Sequence, residues 1–97
     1  MNILDIITVT KDDLDGVTST IKSTGKMRSA PGVRHIIVDS SDDGTTEKVK
    51  RLASIQQNID YIRQAPSGIS AAFNLGLSLS KAEWVWFLNG GDEVHPD

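Results

Sequence analysis

Three clusters of polar residues in this 97-residue chain have the types and spacing that chemistry needs. Thr10-Lys11-Asp12-Asp13 closes the first apolar run, Asp39-Ser40-Ser41-Asp42-Asp43-Gly44-Thr45 closes the second, and Asn89-Gly90-Gly91-Asp92 closes the last. The last cluster is the most informative. Five bulky apolar residues, 84–88, deliver a loop with two glycines and a carboxylate. Glycines let a backbone approach a ligand closely and leave N–H groups free to point at an anion. A carboxylate beside them can hold Mg²⁺ or Mn²⁺, hard ions that bridge a protein oxygen to diphosphate oxygens. Each loop also has a plainer reading, because Asp, Ser, Asn and Gly form turns and cap helices. In the last loop that reading is a tight turn with Asp92 capping the next segment.

These clusters act together only if the fold brings them to one place. Four short apolar segments, 3–10, 33–39, 59–62 and 84–88, are rich in β-branched or aromatic residues and read as strands. Runs such as Ile36-Ile37-Val38 do not alternate with polar residues, as in strands buried on both faces. Between the strands lie three helical stripes. Leu14, Val17 and Ile21 follow Asp12 or Asp13, either of which is a suitable N-cap. Val49, Leu52 and Ala53 follow the Asp43-Gly44-Thr45 turn, and Ile69, Ala72, Phe73, Gly76 and Leu77 follow Ser67 and Pro66. Alternating strands and helices with short connections predict an α/β fold, a mostly parallel four-stranded sheet flanked by helices on both faces. In such sheets ligands bind beyond the carboxyl ends of the strands, and three of the four ends carry the polar clusters.

Composition narrows the field. The chain is long enough for one domain with one core, and 38% hydrophobic, 24% charged residues and 3 prolines exclude disorder and low-complexity sequence. With 10 Lys and Arg against 13 Asp and Glu, the net charge of −3 leaves no basic surplus for a nucleic acid partner. The absence of cysteine excludes disulfides, thiolate catalysis and cysteine zinc sites. His35 and His95 do not make a zinc site either, and His35 is expected as a partly exposed strand residue. Trp84 and Trp86 are two apart, face one side of a strand, and are expected as core beneath a helix. No apolar run is a transmembrane segment, and Asp5 interrupts the N-terminal run, which reads as a strand and not a signal peptide. The expected location is cytoplasmic, with peripheral membrane attachment left open.

The ordered pieces resemble a family. Asp39 closes a strand, then come Asp43-Gly44-Thr45, Gly68-Ile69-Ser70-Ala71-Ala72-Phe73-Asn74-Leu75-Gly76, and Trp86-Phe87-Leu88-Asn89-Gly90-Gly91-Asp92. In order and spacing this is similar to family-2 glycosyltransferases of the GT-A fold over nearly the whole chain. The resemblance implies that Thr10 and Lys11 border the nucleotide base and that Asp39 contacts base or ribose. A carboxylate suits that role because it can accept a hydrogen bond from a ring N–H. It also implies that residues 68–76, with Gly68 and Asn74, line the nucleotide cleft. The usual Asp-x-Asp metal motif falls on Asn89 and Gly91, which leaves Asn89 and Asp92 as ligands for Mg²⁺ or Mn²⁺. Lys11 stands where an aromatic often stacks on the base, and Phe73 where an Arg is common.

The implied reaction transfers a sugar from a nucleoside diphosphate sugar, with UDP-sugars favoured, to a saccharide or lipid-linked acceptor hydroxyl with inversion. Polysaccharide or cell-surface glycan synthesis is the expected setting. Glu93, His95 and Asp97 read as loop residues, so the catalytic base is expected beyond Asp97. Residues 1–97 are then the nucleotide-sugar-binding half, with the acceptor half absent, incomplete as an enzyme and prone to self-association through uncovered apolar surface. The alternative is a non-catalytic nucleotide- or sugar-binding module of the same fold, motivated by Gly91 and Phe73. A phosphoacceptor domain would share the Asp12-Asp13 pair and Asp39, but the third strand ends near Ile62-Arg63 without the acid such a domain needs there. A dinucleotide site is excluded because no Gly-x-Gly-x-x-Gly follows the first strand.

Overall fold

In the computed structural model, which describes residues 3–42, 44–66 and 68–91, the four apolar runs form one parallel sheet. Strand β1, Leu4–Thr10, pairs on one side with β2, Val33–Asp39, and on the other with β4, Trp84–Asn89. Strand β3, Ile59–Arg63, pairs with β2, so the order is β3-β2-β1-β4. The central strands are those without alternation, because helices cover both of their faces. The expected parallel α/β fold is therefore the one observed.

Helix α1, Leu14–Ser23, starts at Asp13, whose carboxylate accepts from the Gly16 N–H at 3.0 Å. The structure thus selects Asp13 over Asp12 as the cap. A short helix, α2, Gly25–Arg28, follows directly and was not anticipated, since four residues carry no periodicity. With α3, Thr46–Ser54, these cover one face, where Val17, Ile21, Ile37 and Val49 form a buried cluster. Helix α4, Ile69–Leu79, covers the other, where Ala72 packs on Ile7, Val9, Ile36 and Val38. A Cβ on Gly76 would stand 2.5 Å from Ile7 Cγ2, so glycine sets how closely α4 approaches the sheet. Each fully buried Ile or Val contributes about 1.5–3 kcal/mol relative to exposure.

Two expectations are corrected. His35 is fully buried, because strand alternation places it with Ile37 and Asp39 on the face under α1 and α2. Both ring nitrogens find hydroxyls, Nε2 with Thr8 Oγ1 at 2.7 Å and Nδ1 with Thr24 Oγ1 at 3.3 Å. Conversely, Trp84 and Trp86 are 69% and 38% exposed. Strand β4 is one of the two edges of the sheet among the described residues, and α1 packs over β2 and α3 and leaves these rings uncovered. The ring of Phe87, on the opposite face of β4, meets Phe73 edge to face at 4.8 Å and is still 46% exposed. Phe87 thus adds to the apolar surface that Trp84 and Trp86 expose along β4.

At the amino ends of the strands the sheet is riveted to α4. Asp5, fully buried, receives Arg34 in bidentate fashion at 3.1 and 2.9 Å and the Ser80 hydroxyl at 2.7 Å. Arg34 also donates to Asp60 at 2.8 Å and to the Leu79 carbonyl at 3.2 Å. Burial alone would raise the Asp5 pKa, but Arg34, Ser80 and the Lys81 N–H together hold it below the ordinary value.

Candidate functional site

The carboxyl ends of β1 and β2 and the start of α4 enclose a pocket of about 240 Å³, lined by Val9, Thr10, Lys11, Ser40, Pro66, Gly68, Ile69 and Ala72. The floor is apolar and comes from the core faces of β1 and α4. The rim is polar and comes from the loops that leave β1 and β2. A larger hollow of about 470 Å³ lies over α3 among Glu47, Lys48, Lys50, Arg51 and Ser54. None of those residues is buried and none belongs to a strand end, so it lacks the convergent groups of a ligand site.

Three of the five residues implicated in nucleotide binding line the pocket. Thr10 is 6% exposed, and its hydroxyl has no hydrogen-bond partner among the described residues. Lys11 stands at the rim with its ammonium 4.0 Å from Asp42, which also lies 3.7 Å from the Arg63 guanidinium. Gly68 occupies the N-cap of α4 at φ +93°, a conformation that glycine adopts without strain. A Cβ there would meet nothing within 4 Å, so backbone conformation and not space calls for glycine. Ser67, which precedes this stripe in the sequence, lies outside the described residues.

Asp39 is placed differently. It is fully buried on the α1 and α3 side, and its neighbour Ser40 is the residue of that loop that lines the pocket. Oδ1 accepts from the Ser41 N–H at 3.0 Å and the Ser41 hydroxyl at 2.5 Å, and Oδ2 accepts from the Tyr61 hydroxyl at 2.7 Å. Ser41 Oγ in turn accepts from the Asp12 N–H at 2.9 Å, and Asp12 Oδ1 accepts from the Asp42 N–H at 2.6 Å. Asp12 reaches this position at φ +52°, a left-handed conformation that Asp tolerates better than most residues. One hydrogen-bonded chain therefore ties together β3, the end of β2 and the loop after β1. Burial, then the hydrogen bond to Asp39, raises the Tyr61 pKa, so the phenol keeps its proton and remains a donor.

Asn74 sits on the exposed side of α4 and is not among the pocket's lining residues. It falls outside the stripe of Ala72, Phe73 and Gly76 that faces the sheet. Asn89 is the last residue of β4 and stands in register with Val9, which lines the pocket floor. The chain then turns through Gly90 and Gly91, the latter at φ +99° with its N–H donating to the Gly16 carbonyl at 3.0 Å and to Thr20 Oγ1 at 2.9 Å. Asp92, the other expected metal ligand, lies outside the described residues, as do Glu93, His95 and Asp97. Among the described residues no three His, Cys, Asp or Glu side chains cluster as a metal site. Sequence reasoning passed over Tyr61 and Ser41. The register of β3 against β2 is what brings the Tyr61 hydroxyl to the Asp39 carboxylate.

Known proteins point the same way. The sequence profile of glycosyl transferase family 2 matches residues 5–97. An uncharacterised glycosyltransferase of Mycobacterium tuberculosis is 30% identical over 92 residues, which cover 92% of this chain and 34% of the relative. Glycosyltransferase GlyA of Streptococcus pneumoniae is 32% identical over 62 residues, 64% of this chain and 9% of that protein. The chain thus spans about a third of the length of the mycobacterial relative. Among solved structures, TarS of S. aureus matches with a TM-score of 0.82 at 20% identity, over 98% of this chain and 18% of TarS. TarS 1–349 in complex with UDP-GlcNAc matches with the same TM-score of 0.82 at 18% identity, over 96% of this chain and 28% of the other. Both structural likenesses are of fold. No helix among the described residues is long and apolar enough to cross a membrane.

Proposed function

Because the chain belongs to glycosyl transferase family 2, we propose that it forms the donor-binding part of an enzyme that moves a sugar from a nucleoside diphosphate to an acceptor hydroxyl. The observation that carries this reading is the pocket itself. It lies at the carboxyl edge of a parallel sheet, with an apolar floor, a lysine at the rim and the amino end of α4 opening into it. A base fits the floor between Val9 and Ala72, while Lys11 and the first N–H groups of α4 suit the negative charge of the attached diphosphate. Asp39 is the acid assigned to the base or ribose, and a uridine nucleotide is the favoured donor, as in the TarS complex with UDP-GlcNAc.

Asn89 and Asp92 are the residues assigned to a Mg²⁺ or Mn²⁺ ion. An amide oxygen and a carboxylate are hard oxygen donors of the kind these ions take, and Asn89 stands at the same sheet edge as Thr10 and Lys11. When bound, such an ion neutralises charge that builds on a departing diphosphate. The residues of the chain supply position. Thr10 and Gly68 shape the pocket, and Lys11 attracts the diphosphate. Inversion at the anomeric carbon, a saccharide or lipid-linked acceptor, and a base outside residues 3–91 complete the proposal.

The test is calorimetric titration with UDP, GDP and dTDP, with and without Mn²⁺. Binding of one nucleotide, strengthened by the metal and lost in Asp39→Ala, is the expected result. A folded chain that binds none of them overturns the reading. Nucleotide binding without sugar transfer in the longer parent protein would instead favour a binding module.

A further inference from the structure

The helical layer over one face of the sheet carries a charge opposite to that of the chain. Along α1, α2 and α3 the exposed charged residues are five cations, Lys22, Lys26, Lys48, Lys50 and Arg51, and two acids, Asp15 and Glu47. That positive surplus stands in a chain of net charge −3. Among the described residues none of the five cations forms an ion pair. Val49 and Ala53 anchor α3 to the sheet, so Lys48, Lys50 and Arg51 project outward around the hollow of about 470 Å³. Arg28 ties the layer together from beneath. It donates to the Ile21 carbonyl near the end of α1 at 2.8 Å and to the Gln57 carbonyl just past α3 at 3.1 Å. The C-terminal ends of the three helices therefore lie together, with Lys22, Lys26 and Arg51 in their last turns. Beside them stands Ile55, the C-cap of α3, which is 72% exposed and continues the stripe of Lys48 and Arg51.

We propose that this layer is a docking face for an anionic phospholipid bilayer, its cations meeting lipid phosphates and Ile55 entering the acyl boundary. Charge complementarity names the partner, since roughly four to eight Lys and Arg on an amphipathic helical surface suit anionic lipid. The hollow is open and its lining is exposed, which fits a broad surface and not an enclosed small ligand. The three helices carry no aromatic side chain on which the bases of a nucleic acid could stack, whereas an exposed isoleucine has a place in a lipid interface. The net charge does not oppose docking. Asp12, Asp13 and Asp42 gather at the other end of α1, about 15 Å from Lys22, and charges are screened over about 8 Å at physiological salt. The pocket between β1 and α4 lies on the opposite face, so a docked domain keeps it open to water. The docking face stands whether or not that pocket takes a nucleotide.

The experiment is co-sedimentation of the chain with vesicles of phosphatidylcholine alone and of phosphatidylcholine mixed with phosphatidylglycerol, corrected for protein that sediments without vesicles. The chain is expected to bind the mixed vesicles only, and more weakly as salt rises. Lys50→Gln combined with Arg51→Gln is expected to weaken that binding about thirtyfold, at roughly fivefold per charge. Ile55→Ser should weaken it several-fold. Urea midpoints should hold in both variants, because all three side chains are exposed. Lys81→Gln removes an exposed cation outside the layer and should leave vesicle binding unchanged. Equal binding to the two vesicle types, binding to neither, or a loss in Lys81→Gln as large as that in Lys50→Gln would overturn the proposal. Salt-sensitive binding to a duplex oligonucleotide by a chain that ignores the mixed vesicles would assign the face to nucleic acid instead.

Discussion

Two fully buried aspartates stand at opposite edges of the same sheet, and their surroundings differ in kind. Asp5, at the amino edge, meets a bidentate arginine, a serine hydroxyl and a backbone N–H. Asp39, at the carboxyl edge, meets only neutral donors. The Asp5 charge is cancelled on the spot, and Arg34 goes on to fasten Asp60 and the end of α4. The Asp39 charge is oriented but not cancelled. A cancelled charge serves the fold, because it has nothing left to offer a ligand. An oriented one is more costly to bury. If the carboxyl edge holds a nucleotide, as proposed, the two edges divide the labour of the domain between holding α4 and binding that ligand.

The largest expected effect breaks the amino edge. Asp5→Ala leaves Arg34 facing a buried void and is expected to lose about 3 kcal/mol of stability, the lower part of the range for a broken buried pair, since Arg34 is 24% exposed. Urea denaturation measures it. Asp39→Asn is expected to lose about 1 kcal/mol, because an amide of the same shape keeps an oxygen for part of the network. Nucleotide binding should respond in the reverse order, lost in Asp39→Asn and retained in Asp5→Ala at temperatures where that variant is folded. Equal losses of stability in the two variants would erase the distinction between the edges.

The sequence shows this division unevenly. The four strands and the three longer helices were legible because β-branched runs and helical stripes are local signals, and the order of the elements then dictated a parallel sheet. Thr10 and Lys11 were legible as site residues from their place at a strand end, and Gly68 from the resemblance of residues 68–76 to the family's motif. His35, Trp84 and Trp86 were not. Whether a strand face is covered depends on where helices settle, and α1 leans toward β2 and away from β4. Asn74 shows the same limit from the other side, since a motif position says nothing of which way its residue faces on the helix. Tyr61 was missed because its partner lies 22 residues away on another strand. A contact of that kind exists only after the register is set.

Acid should act on the helix-covered face before it acts on the amino edge. Burial, and then the nearby Arg28 charge, push the His35 pKa down from 6.5 to about 3. Between those values the unfolded chain takes up a proton that the folded chain refuses. The stability tied to neutral His35 is therefore complete above about pH 6.5 and is lost as pH falls toward 3, at up to about 1.4 kcal/mol per pH unit. Asp5 is also lowered, so its contribution is present above its ordinary value of 3.8 and is lost only below it. Urea midpoints between pH 7 and pH 5 should fall in the parent chain and stay flatter in His35→Gln. Parallel slopes would show that His35 is not the group responsible.

The smallest expected effect lies at the rim and separates charge that serves a ligand from charge that serves the fold. Lys11 and Asp42 are 55% and 56% exposed and 4.0 Å apart, so their attraction is screened and contributes roughly 0–0.5 kcal/mol. Lys11→Ala should leave the urea midpoint almost unchanged. If Lys11 faces a diphosphate, the same variant should weaken nucleoside diphosphate binding several-fold while leaving the unphosphorylated nucleoside unaffected, and the difference should shrink as salt rises. Asp42→Asn should act in the opposite sense, since it removes the carboxylate that competes for the Lys11 ammonium, and diphosphate affinity should rise slightly. A Lys11→Ala variant that binds nucleoside and nucleoside diphosphate with unchanged affinities would remove Lys11 from the site. Nucleotide recognition would then rest on the pocket floor and on the start of α4.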